Sequence, residues 1–364
     1  VGGLTGNLYN GGTISDCYNT GSVTATTKSS GMAGGLLGNF RYGTLKNSYS
    51  STVPTAAKAG TVVGCLEWAG GQKTLTNVYV LSDEAVTETV GNLKGFTIQN
   101  GEAVAKTPDE LKALTSADLS DKFTADSETI NGGYPILAWQ NSGSDEPVDP
   151  DHPAIDPNGW DGTTLKEPEL VGDVYQIGTA EELAWFIQKK SSGKAKAVLT
   201  ADIDLNNREW TAVGVYSGTF DGQNHVISNL YLRNTNPRSS YAGLFARLDN
   251  GGIVKNLGVT YATAVETSNG GSRMGVICGS LDNSHSKPAI ENCYVKDSRV
   301  VVMSGNAYDE GSGAVLCGYN YGTIKNCYVI NCTVDDMGVA GTRNAAISPR
   351  SGGTVENCYA VNVT

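Results

Sequence analysis

The sequence predicts an all-β protein built from right-handed parallel β-helix (solenoid) modules with short capping helices. Three observations lead to this fold class. A strand-like pattern returns at spacings of 30 to 36 residues, a glycine-rich pattern lies between its copies, and the 364 residues include 46 glycines but only 17% charged residues. Such a composition favours short strands joined by tight turns. A repeat of this length buries its apolar side chains only against the next repeat.

The first pattern is a short apolar segment followed by asparagine or aspartate, a small residue and tyrosine, clearest at 12–18, 43–49 and 322–328. Stacked repeats place equivalent residues about 4.8 Å apart, so each position becomes a column. We expect the asparagines to point inward at a corner and to pair with the adjacent repeats and buried backbone. The members of this structural ladder are Asn47, Asn77, Asn256, Asn292, Asn326 and Asn357, with Asp16 as the departure.

The eight cysteines fall partly into two columns. One column consists of Cys17, Cys293, Cys327 and Cys358 and shares its position with serine, valine and leucine. Cys278 and Cys317 form a second column, which we align with Gly38. The mixture with apolar residues indicates small core positions and buried thiols. No CxxC pair suggests zinc.

Two capping boxes predict helices at module boundaries. Thr107 and Glu110 flank Pro108 at the first, and Thr179 and Glu182 form the second. An apolar segment at 131–139 follows the first helix and predicts a lid over the last repeat before it. The second helix predicts an N-terminal cap.

The chain therefore divides into two modules. Residues 1–140 form the C-terminal part of a first β-helix with its terminal cap, and 166–364 form the N-terminal cap and coils of a second. Between them, 141–165 is acidic and rich in proline, which predicts an extended linker. Residue 1 falls within a coil and residue 364 ends directly after a strand. We expect a piece of a longer protein, or bare ends that associate end to end.

Composition excludes two classes of partner. The formal charge of −11 and the absence of a Lys/Arg cluster argue against nucleic acid. No run of about 18 apolar residues occurs, so we expect no membrane insertion within this chain.

The residues at 3–6 and 35–38 resemble the GLUG-repeat family, which is named for a Gly-Leu-any-Gly core. The segment 178–205 also resembles the start of such domains in large surface proteins of gut bacteria. In later repeats Cys278 and Cys317 stand in place of the second glycine. The resemblance implies export to a bacterial cell surface of Gram-positive type. Similar repeats occur in adhesin-like proteins and in non-catalytic regions of IgA-cleaving metallopeptidases.

Residues suited to metal binding or catalysis are sparse. The three histidines do not form an HExxH motif. Asp202, Asp204 and Asn206 alternate in a way that could attract calcium, but a solvated strand edge is the better explanation. Asp309 and Glu310 are the best candidates for a pair of catalytic carboxylates. They are adjacent in one loop without a positioned partner, so we predict no catalytic residue and no cofactor, and leave a metal open.

The tyrosine that follows the asparagine column is expected to face outward, because alternate residues of a strand point to opposite faces. Such a ladder would stack on sugar rings or pack beneath neighbouring segments. Loop insertions near 233–241, 262–272, 282–288 and 303–311 mark the expected recognition surface. The candidate ligand-binding residues are Tyr294, Tyr308, Tyr328, Asp309 and Glu310.

We expect a non-catalytic, secreted or wall-attached scaffold or adhesin-like module that presents loops to a host glycan or surface protein. Two alternatives remain: a carbohydrate-active β-helix hydrolase or lyase, and a spacer of a surface metallopeptidase. Opposed carboxylates in one groove would favour the enzyme. A peptidase domain elsewhere in the full protein would favour the spacer.

Overall fold

The computed structural model describes residues 1–25, 31–67, 70–82, 88–91, 95–127, 131–142, 155–234, 241–266, 273–302, 312–336 and 343–363. Contacts divide the chain into a first unit, Val1–Val148 with Arg343–Thr364, and a second unit, Asp149–Thr342. Both units consist mainly of short, parallel β-strands, as the repeats predicted.

Residues before 149 contain twelve strands, one α-helix and one 3-10 helix within the described ranges. The strands are β1 Thr5–Leu8, β2 Gly12–Ser15, β3 Tyr18–Asn19, β4 Met32–Gly34, β5 Leu37–Phe40, β6 Gly43–Ser50, β7 Lys58–Gly60, β8 Val63–Leu66, β9 Lys73–Leu81, β10 Ala103–Lys106, β11 Phe123–Thr124 and β12 Ile136–Leu137. Helix α1 spans Pro108–Lys112, and the 3-10 helix spans Ala138–Ser142.

The described part of the second unit contains helix α2, Ala180–Lys190, and twenty-three strands. They are β13 Glu169–Val171, β14 Val174–Ile177, β15 Lys196–Leu199, β16 Ile203–Asp204, β17 Glu209–Trp210, β18 Val215–Tyr216, β19 Thr219–Asp221, β20 Val226–Ser228, β21 Tyr231–Asn234, β22 Tyr241–Ala242, β23 Phe245–Leu248, β24 Ile253–Lys255, β25 Gly258–Thr260, β26 Thr263–Glu266, β27 Arg273–Gly275, β28 Cys278–Leu281, β29 Ala289–Glu291, β30 Tyr294–Lys296, β31 Arg299–Val302, β32 Ser312–Ala314, β33 Thr323–Lys325, β34 Tyr328–Ile330 and β35 Thr333–Asp336.

The last three strands of the chain are β36 Arg343–Ala345, β37 Thr354–Glu356 and β38 Tyr359–Val361. They belong to the first unit, because β2 pairs with β37 and β3 pairs with β38 in parallel register. The sequence-based division placed this last repeat with 166–364. It could not anticipate the grouping, because repeats with the same pattern offer the same pairing edge.

The segment predicted as a linker also differs in its second half. Trp160 is buried and meets Trp210 edge to face, with ring centres 5.9 Å apart. The backbone N–H of Asp156 donates to Asn206 at 2.7 Å. Residues 155–165 therefore belong to the packed second unit, whereas 143–154 lie outside the described residues.

Equivalent apolar residues of successive repeats face one another in the core. Ile14 pairs with Leu45 in the first unit, and Val254 pairs with Ile290 in the second. All four side chains are fully buried. Burying each such side chain contributes about 1.5–3 kcal/mol. Stacking of repeats, rather than the single repeat, therefore supplies the core.

The asparagine column lies at turns with a left-handed backbone. Asn292 has φ 52°, donates from its amide to Asn256 at 3.0 Å, and accepts from Asn326 at 2.9 Å. In the first unit Asn77 donates to Asn47 at 3.1 Å. Asn77 and Asn292 are exposed, so the expected inward orientation is wrong for these two, whereas Asn357 is buried. Asparagine tolerates positive φ better than most residues, so it suits these turns. In this backbone conformation the amides lie along the surface of the turns.

The second glycine of the Gly-Leu-any-Gly core lies where neighbouring backbone approaches closely. A Cβ at Gly38 would lie 2.7 Å from the carbonyl oxygen of Gly6. The same applies at Gly279, where a Cβ would lie 2.7 Å from the oxygen of Ala246. Cys278 instead lies opposite Phe245 within the paired strands β23 and β28. The alignment of Cys278 with this glycine is therefore wrong by one residue.

Both predicted helix starts are present. At α1, Thr107 accepts from the N–H of Glu110, and the Glu110 carboxylate accepts from the N–H of Thr107 at 2.8 Å. At α2, Thr179 accepts from the N–H of Glu182, whose carboxylate accepts from the N–H of Gly178 at 2.8 Å.

Candidate functional site

In the first unit the tyrosine column is covered by the cap. The ring of Tyr18 stacks between those of Tyr49 and Tyr359, each 5.1 Å away. The Tyr18 hydroxyl donates to Gln140 at 3.1 Å, and the Tyr49 hydroxyl donates to the carbonyl of Pro135. All three rings are buried. Of the two roles considered for this column, packing beneath a neighbouring segment is the one found here.

In the second unit Tyr294 and Tyr328 form the corresponding pair. Their ring centres are 4.9 Å apart and their planes differ by 12°. Both are half-buried, and the Tyr294 ring covers Gly258, where a Cβ would lie 2.3 Å from Cζ of that ring. The structure therefore brings these two candidates together. The other candidates, Tyr308, Asp309 and Glu310, lie outside the described residues, so the ligand-binding role stays a prediction.

The residues considered for calcium use their oxygens in turns. Asp202 accepts from the N–H of Val226 at 2.9 Å and lies 2.9 Å from Nδ1 of His225. Asp204 accepts from the N–H of Asn206 at 2.7 Å. The backbone hydrogen bond from Val226, assisted by His225, lowers the pKa of Asp202. Across the described ranges, no three His, Cys, Asp or Glu residues are grouped to hold a metal ion.

Asp249 holds the loop at 282–288 in place. Its carboxylate accepts from the Ser284 hydroxyl at 2.6 Å, from the Ser284 N–H at 2.9 Å and from the Asn250 N–H at 2.7 Å. Burial raises the pKa of this carboxyl, but the hydrogen bonds outweigh burial, so its pKa lies below the ordinary value. This insertion, predicted as part of a recognition surface, is thus anchored through an ionised group.

Acid is expected to destabilise the second unit through Asp249. Because folding lowers the pKa of this group, its contribution is present above the unfolded pKa of about 4 and is lost as pH falls through the lower folded value. The unfolding temperature of the natural chain should therefore fall more steeply below about pH 4 than that of Asp249→Asn. Calorimetric scans at several pH values measure this slope, with exposed Glu209→Gln as control. Parallel curves for the natural chain and Asp249→Asn would contradict the assignment.

All eight cysteines are free thiols in buried positions. Burial raises the pKa of Cys17 and of Cys278, and raises that of Cys332 to about 12. Since the thiolate is the reactive form, these side chains are poor nucleophiles at neutral pH.

Five residues of the second unit form an Arg–Tyr cluster that the sequence did not reveal: Tyr241, Arg247, Arg273, Asp282 and Tyr319. The guanidinium carbon of Arg247 lies 4.8 Å from the ring centre of Tyr241. That of Arg273 lies 5.1 Å from Tyr241 and 4.2 Å from Tyr319. Both arginine side chains are about one-third exposed, at 30% and 32%. This cluster combines cationic and aromatic groups at the surface, which is chemistry suited to binding.

No helix in the described ranges is both long enough and apolar enough to span a membrane. The comparison with protein families matches residues 1–24 to the GLUG motif. This match confirms the resemblance drawn from the glycine-rich core. No curated protein matches the chain.

A similar solved structure is that of a provisionally assigned immunoglobulin A1 protease from Bacteroides ovatus. The two chains are 27% identical over 56% of this chain and 58% of that one, with a TM-score of 0.39. This chain therefore spans less than two thirds of that protein's length.

Proposed function

We propose that this chain, whose residues 1–24 match the GLUG motif, is a non-catalytic scaffold or adhesin-like module of a large bacterial surface protein. Each unit would be a right-handed parallel β-helix that holds binding loops on a stiff support. The GLUG motif supports a place at the cell surface or outside the cell. The continuous pairing of apolar columns supports stiffness, because every repeat is held by its neighbours.

The observation that carries the proposal is the state of the carboxyl groups. A glycoside hydrolase needs a carboxylic acid with a raised pKa as proton donor. Among the described residues, the carboxyl groups whose pKa departs clearly from its ordinary value all have it lowered. These groups are Glu110, Asp118, Asp161, Asp173, Glu182, Asp202, Asp221 and Asp249.

Asp221 illustrates the pattern. Burial raises its pKa, but the Gln223 N–H, the Asn256 amide and the Lys255 ammonium outweigh burial. The Asn256 amide donates to this carboxylate at 2.9 Å, and the Lys255 ammonium lies 3.3 Å away. A lowered pKa favours the ionised form, which suits a carboxylate that supports a turn better than one that donates a proton.

A catalytic assay separates the scaffold from the glycan-cleaving alternative. The purified chain is incubated with a panel of neutral and acidic polysaccharides, and new reducing ends and unsaturated sugars are measured. The scaffold predicts no product above the heated-protein blank. Product that disappears on heating would overturn the proposal and favour the hydrolase or lyase.

The location is tested on intact bacteria that carry the full-length protein. Brief protease treatment of the cells should release peptides from this chain into the medium, because a surface module is accessible without lysis. Release only after lysis would contradict the surface assignment.

A further inference from the structure

We propose that the Arg–Tyr cluster binds the carboxylate of an acidic sugar, with Arg273 as the anion-binding residue. The inference rests on the proposed function as an extracellular module, to which it adds a ligand class. It uses residues outside the predicted tyrosine column.

The two arginines of the cluster are paired unequally with Asp282. Arg247 donates from Nε to Asp282 at 2.8 Å, and its Nη2 also contacts this carboxylate. Asp282 accepts in addition from the Ser280 hydroxyl at 2.6 Å. Nη1 of Arg273, by contrast, is 4.0 Å from Asp282. One carboxylate thus faces two guanidinium groups, and its close contacts are with Arg247.

The guanidinium of Arg273 can offer hydrogen-bond donors to a ligand. A guanidinium has five N–H donors in a planar fork. Among the described residues, the Tyr241 hydroxyl accepts a hydrogen bond from Nη1 of Arg273 at 3.1 Å. Its remaining donors suit a carboxylate, which guanidinium binds through two parallel hydrogen bonds.

A neighbouring tyrosine ring orients the side chain of Arg273. The guanidinium of Arg273 lies 4.2 Å above the centre of the buried Tyr319 ring, while its side chain is 32% exposed. This contact with the ring restrains the guanidinium and leaves part of the side chain accessible to a ligand. A side chain that is already ordered loses less entropy on binding, which favours affinity.

A pair of tyrosine side chains adjoins the guanidinium of Arg273. The rings of Tyr319 and Tyr321 are 5.0 Å apart and their hydroxyls 3.3 Å apart. Tyr321 is half-buried. Because Tyr319 is buried, the part of this pair that a ligand can reach belongs to Tyr321, whose ring and hydroxyl suit the apolar faces and hydroxyls of a pyranose ring. An anion carried on a sugar ring fits this combination better than a bare inorganic anion.

The net charge of the whole chain disfavours polyanionic ligands. A formal charge of −11 repels polyanions such as nucleic acids and densely sulfated polymers. A single carboxylate loses little to this repulsion, while it gains the local contact with Arg273. The ligand class is therefore a uronic or sialic acid residue.

Titration calorimetry tests the inference on the full chain, with methyl glucuronide and the methyl glycoside of N-acetylneuraminic acid as probes. Methyl glucoside serves as the neutral match and glucose 6-sulfate as the alternative anion. We expect saturable binding of a carboxylated probe, at least tenfold weaker binding of the glucoside, and weaker binding of the sulfate. Arg273→Gln should weaken carboxylate binding at least tenfold, and Tyr241→Phe a few-fold.

Arg299→Gln is the matched control, because Arg299 is also partly exposed and pairs with Asp335 at 2.7 Å on another strand. It should bind as the natural chain does. The proposal is overturned by no saturable binding of either carboxylated probe, by equal binding of the glucoside or the sulfate, or by equal losses in Arg273→Gln and Arg299→Gln. If Arg273→Gln does not fold, unchanged affinity in Tyr241→Phe overturns it. Cleavage of polysaccharide would instead refute the scaffold, whatever Arg273 binds.

Discussion

Replacing Gly275 with alanine should lower the unfolding temperature of the second unit by ~6–12 °C. The added Cβ would lie 2.5 Å from the carbonyl oxygen of Cys278 and 2.5 Å from the nitrogen of Gly318. Both atoms belong to backbone, so no side-chain rotation relieves the overlap. Moving paired strands apart costs ~3 kcal/mol, and ~1 kcal/mol corresponds to ~2–4 °C in a unit of this size. Differential scanning calorimetry measures the change.

Gly193→Ala provides the control within the same unit. Its added Cβ would have the carbonyl oxygen of Lys190, 3.9 Å away, as its near neighbour. We expect its unfolding temperature within ~2 °C of the natural chain, as for surface substitutions in general. Equal losses in the two variants would show that the close approach at Gly275 does not determine stability.

Tyr49→Ala should destabilise the first unit by ~3–5 kcal/mol, because a large buried ring is removed from a packed site. The ring stacks 5.1 Å from Tyr18 and 6.5 Å from Tyr134 of the cap. The Asn131 amide also donates to the Tyr49 hydroxyl at 2.8 Å. Urea unfolding gives the free energy, and limited proteolysis between α1 and Ser142 reports on release of the cap.

Tyr42→Ala is the comparison for this variant. Tyr42 is half-buried, and its hydroxyl donates to Asn10 at 3.0 Å in an exposed contact. We expect a loss of ~1 kcal/mol or less and an unchanged proteolysis pattern. A cap that stays protected in Tyr49→Ala would mean that the tyrosine column does not hold it.

The parallel pairing of repeats was predictable, because asparagine and glycine recur at positions where the backbone demands them. The orientation of the amides was not, because it depends on the φ of 52° at Asn292 rather than on residue type. The register at Cys278 was also missed. The first unit has two consecutive glycines, Gly34 and Gly35, where the second unit has only Gly275, so the sequence alone does not show which of the two corresponds to Gly275. Strand pairing resolves the correspondence.

The candidate site was predicted only in part. Tyr294 and Tyr328 occupy one sequence column, which is why their stacking could be anticipated. In the Arg–Tyr cluster, Tyr241 and Arg273 are register partners on β22 and β27, but their residue types differ, so no recurring residue marks their column. Arg247 lies opposite Ser280, so no recurring pattern marks the position of its guanidinium. A column of like residues, such as Tyr294 and Tyr328, can be recognised in the sequence, whereas a column of unlike residues, such as Tyr241 and Arg273, cannot.

The amide ladder of the second unit has a direction. Asn326, Asn292 and Asn256 each donate to the preceding repeat, and the series ends on the Asp221 carboxylate, which has no proton to pass on. During evolution by tandem duplication, a middle repeat can be copied or lost without interrupting the series, because asparagine both donates and accepts. A copied aspartate repeat would interrupt it. Lengthening of this unit by copying an asparagine repeat would therefore keep the amide series continuous.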